Sequence, residues 1–253
     1  MSIEIQDYVE MLNLFTFQPC TLNKQSGILL NEHTGKKKES LKEMERKHLI
    51  LKALHRDSSF LSEGVERLIG LLKANNQQVE QRDLYDLHFD PVLTASDFEA
   101  AKAGNIPPDI AAEQNHIRNS DLLWFVYPVW WAGMPAILKG YIDRVFSSGF
   151  AYTMEDDKPK GLLVNKQAII LNSMGMSYED YKESGMFGAL DLTMDQGIFA
   201  FSGIQVLEHK YFSSIMSSGR EEREKYYREI ENLARRVVNE TRMSDVQNKQ
   251  KVA

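Results

Sequence analysis

The sequence predicts an α/β protein built on a five-stranded parallel sheet with helices on both faces. Short apolar segments alternate with segments of helical periodicity between residues 47 and 238, as in a doubly wound sheet. Residues 122–127 are apolar at every position, which indicates a strand covered on both faces. That strand stops at Pro128 in an aromatic loop, and a helical pattern follows. Ligands bind at such strand ends in open α/β sheets, so we expect a binding crevice there.

The first half of the domain is predicted to contain three strands and three helices. Strands are expected at residues 49–54, 79–84 and 122–127, and helices at 60–74, 95–104 and 107–120. The first helix has apolar residues at near-helical spacing from Phe60 to Leu72.

The second half is predicted to contain helix 134–146, strand 167–172, helix 187–201, strand 204–207 and helix 221–238. Residues 211–212 are a candidate extension of the last strand. Pro135 is tolerated in the first turn of its helix, because its position has no intrahelical N–H partner. Gly203 is a suitable stop for the helix before it.

Composition excludes several classes of protein. The formal net charge of −6 argues against nucleic acid as a partner, because phosphate binding needs a concentrated basic surface. The single cysteine, Cys20, cannot form an internal disulfide, which fits a reducing compartment. No apolar run approaches the ~20 residues of a membrane span, and the N-terminus does not resemble a signal peptide. We therefore expect a cytoplasmic protein without membrane insertion.

The domain organisation is predicted as an extension at 1–45, a main domain at 46–240 and a polar tail at 241–253. The extension has a rough helical stripe of apolar residues followed by a polar stretch. It could be a docking arm, a partner-binding helix or a segment without fixed structure. Met44 is a candidate start of the main domain. The three lysines 36–38 lie beside acids and are interpreted as a solvated linker.

The stretch from Asp121 to Phe150 resembles a known family. The motif Pro128-Val129-Trp130-Trp131-Ala132-Gly133-Met134-Pro135-Ala136-Ile137-Leu138-Lys139-Gly140, with Asp143-Arg144-Val145-Phe146 after it, is similar to the flavin-binding core of flavodoxin-like NAD(P)H:quinone oxidoreductases. That family includes drug-activity modulators and ancillary subunits of potassium efflux systems. The resemblance extends from about Arg46 to about Asn239. It implies the strand order 2-1-3-4-5, bound FAD or FMN with FAD favoured, NAD(P)H as co-substrate, a quinone-like acceptor and a homodimer.

The resemblance implies a phosphate cradle after the first strand. Ser58, Ser59 and Phe60 match a turn whose backbone N–H groups hold phosphate with help from the helix dipole. Leu54 and Leu61 stand where the family has His and Asn, and Lys52 stands where its strand is apolar. His55, one residue late, is a partial substitute or an exposed loop residue.

Two further loops would complete the implied site. The platform for the flavin ring is Pro128, Val129, Trp130, Trp131 and Gly133, with Trp131 on the family tryptophan. The wall is Ser173, Met174 and Gly175, on the small-residue loop after the fourth strand.

The resemblance makes Tyr181 the candidate catalytic proton donor. In the family a tyrosine and a histidine six residues later relay a proton, and here Phe187 occupies the histidine position. No metal site is expected, because the six histidines at 33, 48, 55, 88, 116 and 209 show no paired spacing on one helix face.

The leading hypothesis is a flavin-dependent NAD(P)H:quinone oxidoreductase. The alternative is a regulatory subunit of a potassium efflux system, with a transporter as peripheral partner. A chain that has lost flavin is a third reading, and a cradle filled by Lys52, Leu54 and Leu61 would favour it.

Overall fold

A computed structural model of the protein describes residues 45–252, with side chains up to residue 241. The apolar stripe of the predicted extension, the three lysines and Met44 lie outside the described residues. None of the described helices has the length and apolarity needed to cross a membrane.

The described chain contains a five-stranded, wholly parallel sheet. The described part of the chain has seven strands in all, and five of them form this sheet. In chain order the strands are β1 (Lys47–Lys52), β2 (Gln78–Asp83), β3 (Leu122–Pro128), β4 (Tyr152–Glu155), β5 (Lys158–Gly161), β6 (Gln167–Ser173) and β7 (Gln205–Phe212). The main sheet has the order β2-β1-β3-β6-β7, and every pairing is parallel. Because β6 and β7 are the predicted fourth and fifth strands, the fold class and the order 2-1-3-4-5 are confirmed. The order reverses between β1 and β3, which places a crevice at their carboxyl ends.

Strands β4 and β5 form a separate antiparallel hairpin that the sequence did not predict. Its turn is Asp156-Asp157, with φ of 51° and 58°. Both central residues have positive φ, as type I′ hairpin turns require. The hairpin escaped prediction because its four-residue strands are rich in Lys and Glu, which are rare in strands.

The helices flank the sheet, and one of them, Tyr178–Glu183, was not predicted from the sequence. They are α1 (Phe60–Ala74), α2 (Ala95–Lys102), α3 (Pro108–Arg118), α4 (Ala136–Val145), α5 (Tyr178–Glu183), α6 (Met186–Leu190), a π-helix (Asp191–Ala200) and α7 (Arg220–Val252). The bounds of α1 match the prediction, because Ser59 caps it by accepting a hydrogen bond of 3.1 Å from the Ser62 N–H.

Two helical predictions needed correction. The single helix predicted at 187–201 is α6 followed by the π-helix, in which the Phe201 N–H donates to the carbonyl of Gln196, five residues back. Met194 and Phe199 have the same five-residue spacing and are both buried, so the wider turn brings two core residues onto one face. Helix α7 runs to Val252 rather than 238, since no Gly or Pro interrupts it where its apolar stripe ends.

The core has two halves, one on each face of the sheet. In β3, Leu123, Phe125 and Tyr127 face the half that contains α4 and the π-helix. Their neighbours Leu122, Trp124 and Val126 face α1 and α7. All six are fully buried, and burial of each large apolar side chain contributes roughly 2 kcal/mol. This double burial fixes the position of Pro128 and the loop after it.

Candidate functional site

The turn between β1 and α1 presents a row of backbone N–H groups. Within the described chain, no hydrogen bond leaves the backbone N–H groups of residues 55–61. They precede or form the first turn of α1, where the helix dipole favours negative charge. Unpaired donors at a helix start are the arrangement that binds phosphate, so this turn fits the predicted cradle.

A cavity of about 510 Å³ lies beside this turn. Its walls include Ser58, Ser59 and Phe60 from the turn, and Arg223 and Tyr227 from α7. Arg223 donates 3.0 Å hydrogen bonds to Ser218 Oγ and to the Ile215 carbonyl, which hold its guanidinium in place. A fixed cation next to a row of N–H donors suits a phosphorylated ligand. Arg223 was not predicted from the sequence, because nothing local separates it from the other charges of α7.

The three predicted cradle residues differ in what they offer. The Ser59 hydroxyl accepts from the Ser62 N–H and lies 2.7 Å from Ser62 Oγ, so it serves the helix cap. The Phe60 ring is buried and stacks on Tyr227 at 5.0 Å, so Phe60 offers its backbone alone. Ser58 is exposed, and its hydroxyl makes no hydrogen bond to the described residues. Ser58 is thus the one serine of the pair with a free side chain.

The substituted positions around the turn do not fill the cavity. Leu61 is buried in the core half beneath α1, away from the turn. Lys52 is paired with Asp83 of β2 at 3.1 Å. Leu54 contributes to the cavity wall, and the space remains open. These three residues therefore do not fill the cradle, whereas we would expect them to fill it in a chain that had lost its flavin site.

The platform loop after β3 is a tight turn. The backbones of Trp130 and Gly133 exchange two hydrogen bonds of 3.0 Å. The residues between them, Trp131 and Ala132, have φ of 49° and 57°. A β-carbon in this left-handed region costs roughly 1–2 kcal/mol, and such strain concentrates at functional sites.

This turn displays its aromatic rings at the crevice. The Trp131 side chain is fully exposed, and the Trp130 ring lies 4.9 Å from the His55 ring. His55 is thus a link between the cradle and the platform. The Val129 N–H donates to the Ser173 carbonyl at 2.8 Å, which joins the platform to the wall, and Pro128 pairs with Ser173 at the strand ends.

The wall loop follows β6 and offers mainly backbone groups. The Met174 side chain is buried in the core, and its N–H donates to the Phe212 carbonyl at 2.9 Å. Gly175 is exposed beside Met216, whose side chain would meet an added β-carbon at 3.9 Å. Any ligand at this wall would therefore meet Ser173, Gly175 and the methionine backbone rather than the methionine side chain.

Tyr181 lies on α5, near the wall loop in the chain. Its ring is 5.5 Å from the Phe187 ring, which also contacts Tyr178 and Tyr211. Within the described residues its hydroxyl has no hydrogen-bond partner. A phenol without an internal partner is available to a ligand.

Comparisons with known proteins identify the family of the chain. The family profile of the flavodoxin-like fold matches residues 46–236. An uncharacterized NAD(P)H oxidoreductase from Haemophilus influenzae is 41% identical over 170 residues, covering 66% of this chain and 84% of that protein. NAD(P)H dehydrogenase [quinone] 1 from Rattus norvegicus is 33% identical, covering 67% of this chain and 69% of that protein.

A solved structure gives the same result. The NAD(P)H:quinone oxidoreductase from Methanothermobacter marburgensis superposes with a TM-score of 0.71 at 26% identity, covering 77% of this chain and 100% of that chain. The matched profile spans most of the chain, and the relatives are covered over more than two thirds of their length. The chain belongs to the flavodoxin-like NAD(P)H:quinone oxidoreductase family.

Proposed function

We propose that the protein is a flavin-dependent oxidoreductase that reduces quinones or similar planar acceptors with NAD(P)H. The observation that carries this is the row of unpaired N–H groups at 55–61, beside an open cavity and one aromatic ring from the platform. A phosphate group and a planar ring joined in one ligand would use both features. The names of the relatives support the choice of reaction.

The cofactor is proposed to be FAD, with FMN as the alternative. When bound, the flavin supplies two-electron hydride transfer from NAD(P)H to the acceptor. The N–H groups of Ser58, Ser59 and Phe60 hold the phosphate. Arg223 faces the same cavity and suits a second phosphate, which favours FAD.

The platform and wall hold the ring and leave one side open. Pro128, Val129, Trp130 and Gly133 would hold the edge of the flavin ring, and the exposed Trp131 would cover the ring or the acceptor. Ser173, Met174 and Gly175 bound the far end through their backbones. Tyr181 donates a hydrogen bond or a proton, a role typically worth ~10²–10⁴-fold in rate.

A homodimer is also proposed. Trp131, Met176 and Met216 are exposed by 103%, 58% and 87% around the crevice, a large apolar rim for an isolated chain. A second copy of the chain would cover this rim. Sedimentation equilibrium on the full chain tests this, and a monomer at micromolar concentration would reject the dimer.

The visible absorption spectrum after incubation with FAD or FMN and desalting tests the enzyme directly. Retained flavin bands that bleach with NADPH or NADH, and return when a quinone is added, are the expected result. Ser58→Asp should abolish retention, because it places a carboxylate among the N–H donors. Ser58→Ala is the matched control and should keep the flavin, because the backbone donors are unchanged. Failure of the wild-type chain to retain either flavin would reject the proposal.

A further inference from the structure

A second group of polar side chains lies at the β7 edge of the sheet, between the π-helix and β7. It consists of Asp191, Asp195, His209 and Tyr211, which we call the His209 cluster. His209 Nδ1 lies 2.9 Å from Asp195 Oδ1 and 3.7 Å from Asp191 Oδ1. Tyr211 Oη lies 2.7 Å from Asp191 Oδ1. The imidazole and carboxylate atoms all lie within 4.8 Å of one another.

The position of the hydrogen on the His209 ring follows from its neighbour Asn172. The Asn172 amide nitrogen donates to the Tyr127 carbonyl at 3.1 Å, which fixes the orientation of this fully buried amide. Its oxygen therefore faces His209 Nε2, at 2.7 Å. An amide oxygen can only accept, so Nε2 carries the hydrogen. The other ring nitrogen, Nδ1, is thereby directed at the carboxylates.

The carboxylates of Asp191 and Asp195 favour a cation beside Nδ1. The Tyr211 hydroxyl donates to Asp191 Oδ1 at 2.7 Å. Tyr211 Oη also lies 3.0 Å from His209 Nδ1, so a bare Nδ1 lone pair would face this hydroxyl and the carboxylate oxygens of Asp191 and Asp195. Among the described residues, no Lys or Arg forms an ion pair with Asp191 or Asp195. Two carboxylates and a neutral imidazole carry a charge of about −2, which one divalent cation would balance.

The surroundings match those of protein metal sites. A metal-bound histidine usually donates its other N–H to a carbonyl or carboxylate, as His209 does to Asn172. The His209 side chain is 5% exposed, whereas Asp191 and Asp195 are 48% and 21% exposed. An ion can therefore enter from solvent past the carboxylates and meet the buried nitrogen.

We propose that Asp191, Asp195 and His209 Nδ1 form a binding site for a divalent transition-metal ion such as Mn²⁺ or Zn²⁺. One imidazole and two carboxylates suit these ions better than Ca²⁺, which takes oxygen ligands alone. Tyr211 supports the Asp191 carboxylate, and Asn172 fixes the histidine. The sequence predicted no metal site, because these ligands come from two elements and have no motif spacing. The three ligands are not among the residues proposed to hold the flavin.

Isothermal titration of the full chain with Mn²⁺ and with Zn²⁺, after EDTA treatment and desalting, tests the site. We expect wild type to bind about one ion through this cluster, and His209→Gln and Asp195→Asn to bind at least ~10-fold more weakly. Asp156→Asn, in the exposed turn of the hairpin, is the matched control and should bind like wild type. Circular dichroism of the ion-free variants confirms that each is folded.

Two results would overturn the proposal. The first is that wild type binds neither Mn²⁺ nor Zn²⁺, which would mean that Nδ1 holds a proton instead. Binding could also be equal in wild type, His209→Gln and Asp195→Asn, which would place the ion on other surface groups. Neither result uses flavin or activity, so the proposed oxidoreductase function would stand or fall separately.

Discussion

Two buried histidines in this fold have opposite surroundings. His48 lies in β1 at the amino end of the sheet, and its Nδ1 accepts a 3.0 Å hydrogen bond from the Trp124 indole. His209 lies in β7 toward the carboxyl end, and its Nδ1 faces two carboxylates. Burial lowers the pKa of His48 to about 4, so this ring is neutral and structural. Both rings have little exposed surface, so they differ chiefly in the groups around Nδ1, which are an indole donor at His48 and carboxylates at His209.

The largest expected effect is an acid-dependent loss of stability from His48. Its pKa is about 4 in the folded state and about 6.5 in the unfolded state. The unfolded chain therefore takes up a proton first as the pH falls. The contribution of His48 is complete above pH ~6.5 and is lost progressively down to pH ~4, by roughly 3 kcal/mol in total.

Urea unfolding at several pH values measures this loss. His48→Gln can still accept from the Trp124 indole but cannot titrate, so its stability should fall less steeply over the same range. His88→Asn is the control, because His88 is exposed and should leave the slope unchanged. Parallel pH profiles for wild type and His48→Gln would mean that the pKa of His48 is the same in the folded and unfolded states, and that the contrast with His209 is wrong.

A smaller effect on stability is expected from the residue that contacts Nε2 of each histidine. Asn172→Leu removes the donor to the Tyr127 carbonyl and the acceptor of His209 Nε2–H, both buried, and should cost about 2–3 kcal/mol. Gln77→Leu removes a contact of 3.4 Å to His48 Nε2, together with part-buried hydrogen bonds to the Arg46 N–H and the Asn75 carbonyl, and should cost about 1 kcal/mol. Urea unfolding in EDTA compares the two. Equal costs would argue that Asn172 has no special role in fixing His209.

The sequence predicted the parts of the molecule that depend on local pattern. The parallel sheet follows from uninterrupted apolar segments such as Leu122–Pro128, and the bounds of α1 follow from its apolar face, whereas the strand order was implied by the family resemblance. The cradle at Ser58 was located by family resemblance. Its backbone donors and cavity fit that role, although the contacts of each predicted site residue with a ligand stay predictions.

The His209 cluster could not be predicted in this way. The pairing of β6 with β7 shifts register between Ala168 and Ile169, and a shift of one residue moves a strand's side chains to the other face. The sequence therefore did not indicate which face His209 occupies. The π-helix, which brings Asp191 and Asp195 to it, also has no recognisable sequence pattern. Arg223 was missed for a similar reason, since the fold alone brings α7 beside the cradle.

The smallest expected change in stability comes from Asp191→Asn, and its sign should depend on whether a divalent cation is present. This substitution is therefore the most direct test of the contrast between His48 and His209. Without divalent cations, Asp191→Asn removes one of two like charges near His209 and keeps an oxygen for the Tyr211 hydroxyl, so stability should rise by about 0.5 kcal/mol. With saturating Mn²⁺, the same substitution removes a ligand and should make the variant less stable than wild type. Thermal unfolding with EDTA and with Mn²⁺ measures both signs. The Asp156→Asn control should show neither change, and an Asp191→Asn effect of constant sign would mean that no ion bridges the carboxylates.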